Sequence, residues 1–383
     1  MASRIDPSKP ADDERPSKAD LRRNLAFARD ELNHGGFFVP VGTGATERTV
    51  EDKLRDLVSV KDFGAVGDDS DDDTAAIQAA IDAGSGVVLA PPGQYRIGAP
   101  IVLRGQTLLA KGANFAPTRD FPSEGGAASS LLRVSDNRTA IVGCSLRGGD
   151  PDDARRAGHG VWLDPGVNRV QLEDMYIAGV KADGVHGESS NWMSRFENIR
   201  CDTVDIGFHF PGTNNTTLSF QNCYCAGSRT GFAFRQVFGF VLLACAVDQS
   251  SSYALTFDAS VGTILGSDFE GCRQALHLSS GHTRVTMTGC AYTGLGDAEG
   301  SGPKALFDLQ NGHLIMEGTR FVNMRNFEHF LDVPDWGSKS VFRDNTISVL
   351  GQRNAIMATQ GVVEIHNGVT TRSDGAIIGF GSR

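Results

Sequence analysis

Three residues suited to sugar recognition, Trp162, His186 and His209, recur at spacings of 24 and 23 residues. Each follows a small residue and an apolar residue, so each holds the same place in a short recurring motif. An indole ring can stack on the C–H face of a sugar, and an imidazole can hydrogen-bond to hydroxyl groups. The spacing therefore predicts a sugar-binding surface if the fold brings these positions onto one side.

Charged residues directly follow three copies of the same motif, at Asp164, Glu188 and Arg235. Carboxyl groups about 5–5.5 Å apart suit a retaining glycosidase, and carboxyl groups about 6.5–9.5 Å apart suit an inverting one. Close packing would also raise the pKa of one carboxyl, as a general acid requires. A lyase would instead use a histidine as base, with Arg235 to neutralise a uronate.

We therefore predict Asp164, Glu188 and His186 as catalytic residues and Trp162, His209 and Arg235 as substrate-binding residues. Two other interpretations remain open at this stage. The aromatic and histidine positions could pack against a neighbouring chain, and the acids could form a solvated edge beside a loop.

The elements that must position these residues are short strands, because the motif recurs every 21 to 30 residues from residue 160 onward. Its copies begin at Gly160, Gly184, Gly207, Gly231, Ala254, Ala275, Ala305, Phe330, Ala355 and Ala376. A second pattern between the copies alternates apolar and other residues, which is typical of strands with one buried face. Strands that recur without crossover helices predict an all-β fold, a right-handed parallel β-helix of about ten or more coils.

Stacked coils would place one outward residue of each motif copy in a column. The predicted column consists of Trp162, His186, His209, Ala233, Thr256, His277, Phe307, Asp332 and Met357. A tight bend in the second pattern aligns Asp174, Asn198 and Asn222, for which we predict a structural role. The irregular segments 145–159 and 293–304 interrupt the rhythm, and the first is predicted to overhang Trp162.

Composition excludes several classes of protein. The formal charge of −10 over 383 residues argues against a nucleic-acid-binding surface. The chain has neither an apolar run long enough for membrane insertion nor the apolar core of a secretory signal peptide. Seven cysteines without a CxxC pattern are interpreted as small buried residues, so we expect no metal centre and no cofactor.

The first 58 residues differ from the remainder. A polar arm precedes an amphipathic helix with Leu21, Leu25 and Leu32 at helical spacing, which Gly35 and Gly36 end. One such helix needs a partner for its apolar stripe. We therefore predict an N-terminal arm, helix and connector at 1–58 and a β-helix domain at 59–383, with a capping segment at 59–100.

The capping segment carries a family resemblance. The stretches Val60–Asp68, Asp72–Ile81 and Gly86–Tyr95 resemble the start of pectate-lyase-superfamily β-helix proteins, in which a short helix caps the N-terminal end of the rod. That superfamily includes polysaccharide lyases, glycoside hydrolases, epimerases and phage tailspikes. Residues 18–25 with 48–54 look like the lead-in of phage tail fibre and tailspike proteins, whose N-terminal part attaches to the virion.

The resemblance implies a tailspike that recognises a host surface polysaccharide: capsule, exopolysaccharide or O-antigen. It also implies a homotrimer and contacts with other tail or baseplate proteins through residues 1–58. The protein would be made in the host cytoplasm and located in the virion tail. If active, it would be a polysaccharide depolymerase, either a glycoside hydrolase or a lyase. The alternatives are a non-catalytic structural or adhesin virion protein and a bacterial polysaccharide lyase or epimerase.

Overall fold

The chain divides into two compact units, Met1–Val58 and Ser59–Arg383. The computed structural model describes residues 18–33, 37–38, 40–84, 86–149, 156–296, 303–324, 327–333, 339–349, 355–358, 362–366, 369–372 and 377–379. The predicted arm, residues 150–155 of the first irregular segment and residues 297–302 of the second lie outside this description. No helix among the described residues is long and apolar enough to cross a membrane.

The described residues of the N-terminal unit form two helices and one strand pair. Helix α1 spans Lys18–Asn33, and helix α2 spans Val50–Leu54. The strand Phe37–Phe38 pairs antiparallel with Arg48–Thr49. The α1 side chains of Leu21 and Leu25 are 45% and 68% exposed, so the apolar stripe predicted for this helix is largely open.

The larger unit is a parallel β-helix, which confirms the predicted fold class. One sheet, sheet A, takes one strand from each coil, and its eleven described strands pair in parallel. They are Ile101–Arg104, Ser130–Asp136, His159–Leu163, Asp183–Gly187, Ile206–Phe210, Thr230–Arg235, Tyr253–Asp258, Gln274–Ser279, Ala305–Gln310, His329–Val333 and Ala355–Ala358. Eleven coils agree with the number that the repeats predict.

The remaining strands form sheet B, which bends sharply within each coil. Its described strands are Asp68–Asp72, Val87–Leu89, Gly93–Ile97, Thr107–Leu109, Ala113–Pro117, Ala140–Val142, Ser145–Arg147, Gln171–Ala178, Arg195–Asp202, Asn215–Thr216, Ser219–Gln221, Tyr224–Ala226, Val237–Leu243, Ala246–Asp248, Val261–Leu265, Asp268–Glu270, Arg284–Thr288, Ala291–Thr293, His313–Glu317, Arg320–Met324, Lys339–Arg343, Thr346–Val349, Val362–His366, Val369–Arg372 and Ile377–Gly379. A further short strand, Val58–Ser59, lies at the unit boundary.

The bend in sheet B uses left-handed backbone. Asp174, Asn198 and Asn222 have φ angles of 54°, 52° and 52°. Asn and Asp tolerate this conformation better than other non-glycine residues. The Asn198 side chain also donates a hydrogen bond to Asp174 at 3.0 Å. The predicted structural role of these positions is thus confirmed.

The interior consists of stacked columns of apolar side chains. Phe196 stacks on Phe220 with ring centroids 4.6 Å apart, and Phe208 stacks on Phe232 at 4.7 Å. These separations equal the spacing between neighbouring strands, so each coil adds one ring to a column. All seven cysteines are buried free thiols, as the sequence predicted.

A helix covers the N-terminal end of sheet A. Helix α3, Thr74–Ala83, buries Ile77, Ala80 and Ile81. The side-chain amide of Gln78 accepts a hydrogen bond from the Val102 N–H at 2.8 Å and donates one to the Val102 carbonyl at 3.0 Å. Short 3₁₀ turns occur at Val60–Phe63 and Gly126–Ser129.

Two details of the predicted repeat were wrong. Phe307 pairs with Leu276 and is fully buried, whereas Asp308 pairs with His277. Leu306 is buried as well, so this coil places one extra residue in the core and the outward position moves to Asp308. At the C-terminal end, Ile377–Gly379 pairs antiparallel with Val369–Arg372 and does not form another parallel coil of sheet A.

Candidate functional site

The outward residues of sheet A form the predicted column. Trp162 pairs with His186, and His186 pairs with His209. The column continues through Ala233, Thr256, His277, Asp308 and Asp332. We call this surface the histidine face. Three ring-bearing residues therefore lie on consecutive strands, as the spacing predicted.

A buried carboxylate that the sequence analysis missed lies at the centre of this face. Asp183 is only 4% exposed. Its Oδ2 lies 2.6 Å from Nδ1 of His186, 3.0 Å from Nδ1 of His209 and 3.2 Å from Nδ1 of His159. One carboxylate oxygen thus meets three imidazole rings from three strands of sheet A. We call these four residues the Asp183 cluster.

The strand geometry explains how Asp183 reaches the outer surface. A Cβ placed on Gly184 would lie 2.5 Å from the sulfur of Cys201, so residue 184 faces inward. Val185, the next residue, is also fully buried. Two consecutive inward residues break the simple alternation, and Asp183 therefore emerges on the same side as His186.

The Asp183 cluster keeps its carboxylate ionised. Burial alone would raise the pKa of Asp183. The hydrogen bonds from His186 and His209, together with the nearby imidazole of His159, outweigh burial and hold the pKa of Asp183 well below its usual range. Because Nδ1 of His186 and His209 faces the carboxylate, each ring donates from Nδ1 and carries its acceptor on Nε2.

Trp162 is not the open platform that the sequence predicted. Its indole stacks on the His186 ring with centroids 3.9 Å apart and an interplanar angle of 10°. It is only 9% exposed, and the turn at Gly126 lies against its outer edge, where an added Cβ would come within 3.1 Å of Cη2. Trp162 thus orients His186, and its predicted role in stacking on sugar remains untested.

The predicted acid pair comes from adjacent coils, since the strands of Asp164 and Glu188 pair at Leu163 and Gly187. Each acid, however, has its own cationic or imidazole neighbour. Asp164 accepts hydrogen bonds from Arg133 on both oxygens at 2.9 Å. Glu188 Oε1 lies 3.5 Å from Nε2 of His186. Both oxygens of Asp164 are thus engaged by Arg133, and the catalytic role of this pair remains a prediction.

A hollow of about 220 Å³ opens further along the histidine face. His209 and His277 lie at its two ends, and the small side chains of Ala233 and Thr256 lie between them. Three strand steps separate the two histidines, which corresponds to roughly 14 Å. The predicted substrate-binding Arg235 also lines the hollow and lies 3.6 Å from Asp258.

A second group of polar residues adjoins the far end of this hollow. Oδ2 of Asp308 lies 3.0 Å from Nδ1 of His277 and accepts hydrogen bonds from Tyr253 at 3.4 Å and Gln310 at 3.2 Å. Burial, followed by the charge of Asp308, raises the pKa of Tyr253 to about 12. The phenol therefore stays protonated at neutral pH, while His277 has Nε2 as its remaining acceptor. We call these residues the Asp308 cluster.

A larger hollow of about 710 Å³ lies on sheet B. Val241, Thr263, Thr286, Ile315 and Val341 occupy successive strands along it. Its lining also includes the basic residues Arg284, His313, Lys339 and Arg343. The hollow contains no carboxylate–histidine cluster among its lining residues, so it offers binding surface and charge but no comparable proton chemistry.

Sequence reasoning found the column but missed His159, Asp183, Tyr253 and Asp308. The first three residues immediately precede the small residue of a motif copy. That position is polar or aromatic in most copies: His159, Asp183, Thr230, Tyr253, Gln274, Lys304, His329 and Asn354. This recurrence of polar and aromatic residues could have identified the position as part of the site.

Sequence comparison matches the start of the β-helix to a known family. Residues 57–119 match the family model described as "Rhamnogalacturonase A/epimerase, pectate lyase-like". A segment of 43 residues is 63% identical to mannuronan C5-epimerase AlgE3 of Azotobacter vinelandii. That match covers 10% of this chain and 2% of the epimerase, so it relates a short segment of the two proteins.

Structural comparison covers far more of the chain. The gp42 tailspike of Acinetobacter phage vb_AbaP_AS12 superposes with a TM-score of 0.61 at 14% identity, covering 90% of this chain and 72% of the tailspike. The tailspike of E. coli bacteriophage HK620, solved with a pentasaccharide, gives 0.55 at 15% identity, covering 89% and 71%. At these identities the similarity establishes the fold. The predicted resemblance to pectate-lyase-like and tailspike β-helix proteins is thereby confirmed.

Proposed function

We propose that this protein binds a polysaccharide along the histidine face, with the hollow between His209 and His277 as the central subsite. The observation that carries this proposal is the placement of two carboxylate-oriented imidazoles at the two ends of a surface hollow lined by small side chains. The HK620 tailspike was solved with a pentasaccharide, and mannuronan C5-epimerase AlgE3 acts on a polysaccharide according to its name, which supports this choice.

The chemistry of the hollow suits sugar rings. Ala233 and Thr256 leave space above the sheet, and the rings at either end offer one nitrogen each to hydroxyl groups. Arg235 and Asp258 add a cation and a carboxylate at the edge, as hydrogen-bond donor and acceptor. A chain of two or three sugars lying along the column would contact all of these groups.

The test introduces a tryptophan side chain into each of the two hollows in turn. Thr256→Trp places an indole in the histidine-face hollow, and Thr286→Trp does the same in the larger hollow on sheet B. Binding of purified capsule, exopolysaccharide and lipopolysaccharide is measured by calorimetry for both variants. We expect at least a tenfold loss of affinity for Thr256→Trp only. Loss confined to Thr286→Trp would move the site to sheet B.

We propose cleavage of the bound chain as a second activity, on the strength of the Asp308 cluster. In a β-elimination, Nε2 of His277 would take the proton from the carbon next to the uronate carboxylate. The resulting electron pair forms the C=C bond as the C–O bond to the next sugar breaks. Tyr253, which lies beside His277 with ring centroids 5.2 Å apart, would protonate the departing oxygen. The unsaturated sugar product would be detected by its ultraviolet absorbance.

We further propose that the protein is a homotrimeric tailspike, made in the host cytoplasm and attached through residues 1–58 to other tail or baseplate proteins of a virion. The exposed Leu21 and Leu25 of α1 support an attachment or assembly role for that unit.

Light scattering of chains with and without residues 1–58 tests whether the protein is a trimer, and immunogold labelling of virions tests its location. A monomer at micromolar concentration would favour the alternative of a free polysaccharide lyase or epimerase. A virion-bound trimer without carbohydrate affinity would indicate a structural protein.

A further inference from the structure

The Asp183 cluster contains more hydrogen-bond donors than its acceptor can use. Three Nδ1 atoms lie within 3.2 Å of one carboxylate oxygen. A carboxylate oxygen has two lone pairs, so two donors satisfy it. His159 is the ring left over, because its Nδ1 has no hydrogen-bond partner although it lies 3.2 Å from Asp183 Oδ2.

Burial makes this arrangement costly. His159, Asp183 and His186 are 9%, 4% and 7% exposed, so water does not readily replace the missing partners. Nε2 of His186 is also buried without a hydrogen bond, with Glu188 Oε1 at 3.5 Å as its nearest anion. Buried polar atoms are almost always satisfied in native proteins. Two unsatisfied imidazole nitrogens in one cluster therefore suggest a missing bonding partner.

A divalent cation would satisfy the cluster. One ligand atom each from His159, Asp183 and His186 can be chosen so that all three lie within 4.8 Å of one another. In a tetrahedral zinc site, with Zn–N and Zn–O bonds of about 2.0–2.2 Å, neighbouring ligand atoms are about 3.3–3.5 Å apart. The 2.6–3.2 Å contacts of the cluster need only small outward shifts to reach that separation.

The surrounding residues support such a site. His209 lies 3.0 Å from Asp183 Oδ2 through Nδ1 and helps to hold this carboxylate, although it is outside the group of three whose ligand atoms lie within 4.8 Å of one another. Glu188 lies beside the second nitrogen of His186, where a carboxylate orients a metal-bound imidazole. Trp162 stacks on the His186 ring and restricts its rotation. Imidazole nitrogens and carboxylate oxygens are both ligands that bind zinc in proteins.

We propose that His159, Asp183 and His186 bind one Zn²⁺ ion per chain. In this site, the Nδ1 atoms of His159 and His186 would offer lone pairs to a cation and would no longer compete as donors for one carboxylate oxygen. A search for cysteine patterns could not reveal this site, because its ligands are histidine and aspartate residues from two neighbouring strands of sheet A. This proposal does not depend on polysaccharide binding.

The test is a zinc titration of full-length protein stripped with EDTA. Calorimetry should give one Zn²⁺ per chain, and Co²⁺ in place of zinc should produce the visible absorption of a tetrahedral centre. His159→Gln should weaken zinc binding at least tenfold. This variant should fold, because His159 Nδ1 makes no hydrogen bond in the metal-free cluster. The matched control is His277→Gln, which removes the same ring from the Asp308 cluster and should bind zinc normally.

The outcomes are decisive in either direction. No zinc uptake by the stripped wild-type protein, or equal affinity in His159→Gln, would overturn the proposal, and so would loss of zinc in His277→Gln alone. If His159→Gln fails to fold, the wild-type protein still provides a test. Zinc must then raise its melting temperature in a concentration-dependent way, and EDTA must reverse the shift. An unchanged melting temperature would reject the site.

Discussion

Nδ1 of His277 lies 3.0 Å from Oδ2 of Asp308, on the neighbouring strand of sheet A. The carboxylate fixes the ring and its tautomer, so Nε2 is the nitrogen that can accept a proton. His209 at the other end of the hollow is held by Asp183 in the same way. Two oriented imidazoles therefore bracket one subsite, and only His277 has a phenol beside it.

The first prediction concerns cleavage. His277→Gln and Asp308→Asn should each lower the rate of polysaccharide cleavage by about 10²-fold or more, because a positioned general base contributes that much. Reducing-end release and ultraviolet absorbance of unsaturated product provide the measurement. His282→Gln, which alters an exposed histidine in a turn, is the matched control.

Glu188→Gln distinguishes the two candidate sites. If the predicted pair of Asp164 and Glu188 is catalytic, this variant should lose cleavage and retain binding, because the amide keeps the shape and loses the proton chemistry. If the Asp308 cluster is catalytic, Glu188→Gln should cleave at nearly the wild-type rate. Full activity in His277→Gln would exclude the Asp308 cluster.

The second prediction concerns pH. The folded pKa of Tyr253 is raised to about 12, whereas an unfolded tyrosine titrates near about 10. This residue's contribution to stability is therefore complete below pH 10 and is lost as the pH rises toward 12. The difference in phenolate absorbance between wild-type protein and Tyr253→Phe should show a midpoint near 12. A midpoint near 10 would mean that the phenol is solvated and not held against Asp308.

The third prediction concerns the small residue that begins each motif copy. Gly184→Ala should destabilise the fold by about 1–3 kcal/mol, because the new Cβ would lie 2.5 Å from the sulfur of Cys201. Denaturant unfolding measures the effect. Cys201→Ala in the same chain should recover part of the loss by making room. Gly86→Ala, where a Cβ meets nothing within 4 Å, should change stability by less than about 0.5 kcal/mol.

The fourth prediction concerns the ion pair between Arg133 and Asp164. Arg133 is 39% exposed and Asp164 is 14% exposed, so solvent screens the pair in part. We expect a coupling free energy of about 1 kcal/mol from a double-mutant cycle of Arg133→Gln and Asp164→Asn. The coupling should fall at high salt. A coupling near zero would show that Asp164 is available for other chemistry.

The sequence predicted the fold well because the β-helix repeats the same short-range pattern in every coil. Alternation within strands, small residues beside bulky core residues and left-handed bends are all local, so the order of the column from Trp162 to His277 followed directly. The prediction from the repeat pattern failed where one coil departs from that pattern. Because this coil buries one extra residue near Leu306, Asp308 takes the outward position that was predicted for Phe307. The repeat pattern alone could not reveal that shift.

The site was harder to predict because its chemistry depends on pairs from different coils. Asp183 meets His159, His186 and His209 only because Gly184 and Val185 both face inward and return residue 183 to the outer side. Simple alternation places it with Val185 in the core. The burial of Trp162 likewise depends on a turn at Gly126, some thirty-six residues earlier in the chain.

The contact between Gln78 and Val102 has a consequence for solubility. Ile101–Arg104 is the terminal described strand of sheet A, and an unpaired strand edge can recruit strands from other molecules. The Gln78 amide meets both the N–H and the C=O of Val102, so it replaces the hydrogen bonds that an incoming strand would make. One side chain thus makes the terminal strand of sheet A a poorer template for strands of other molecules.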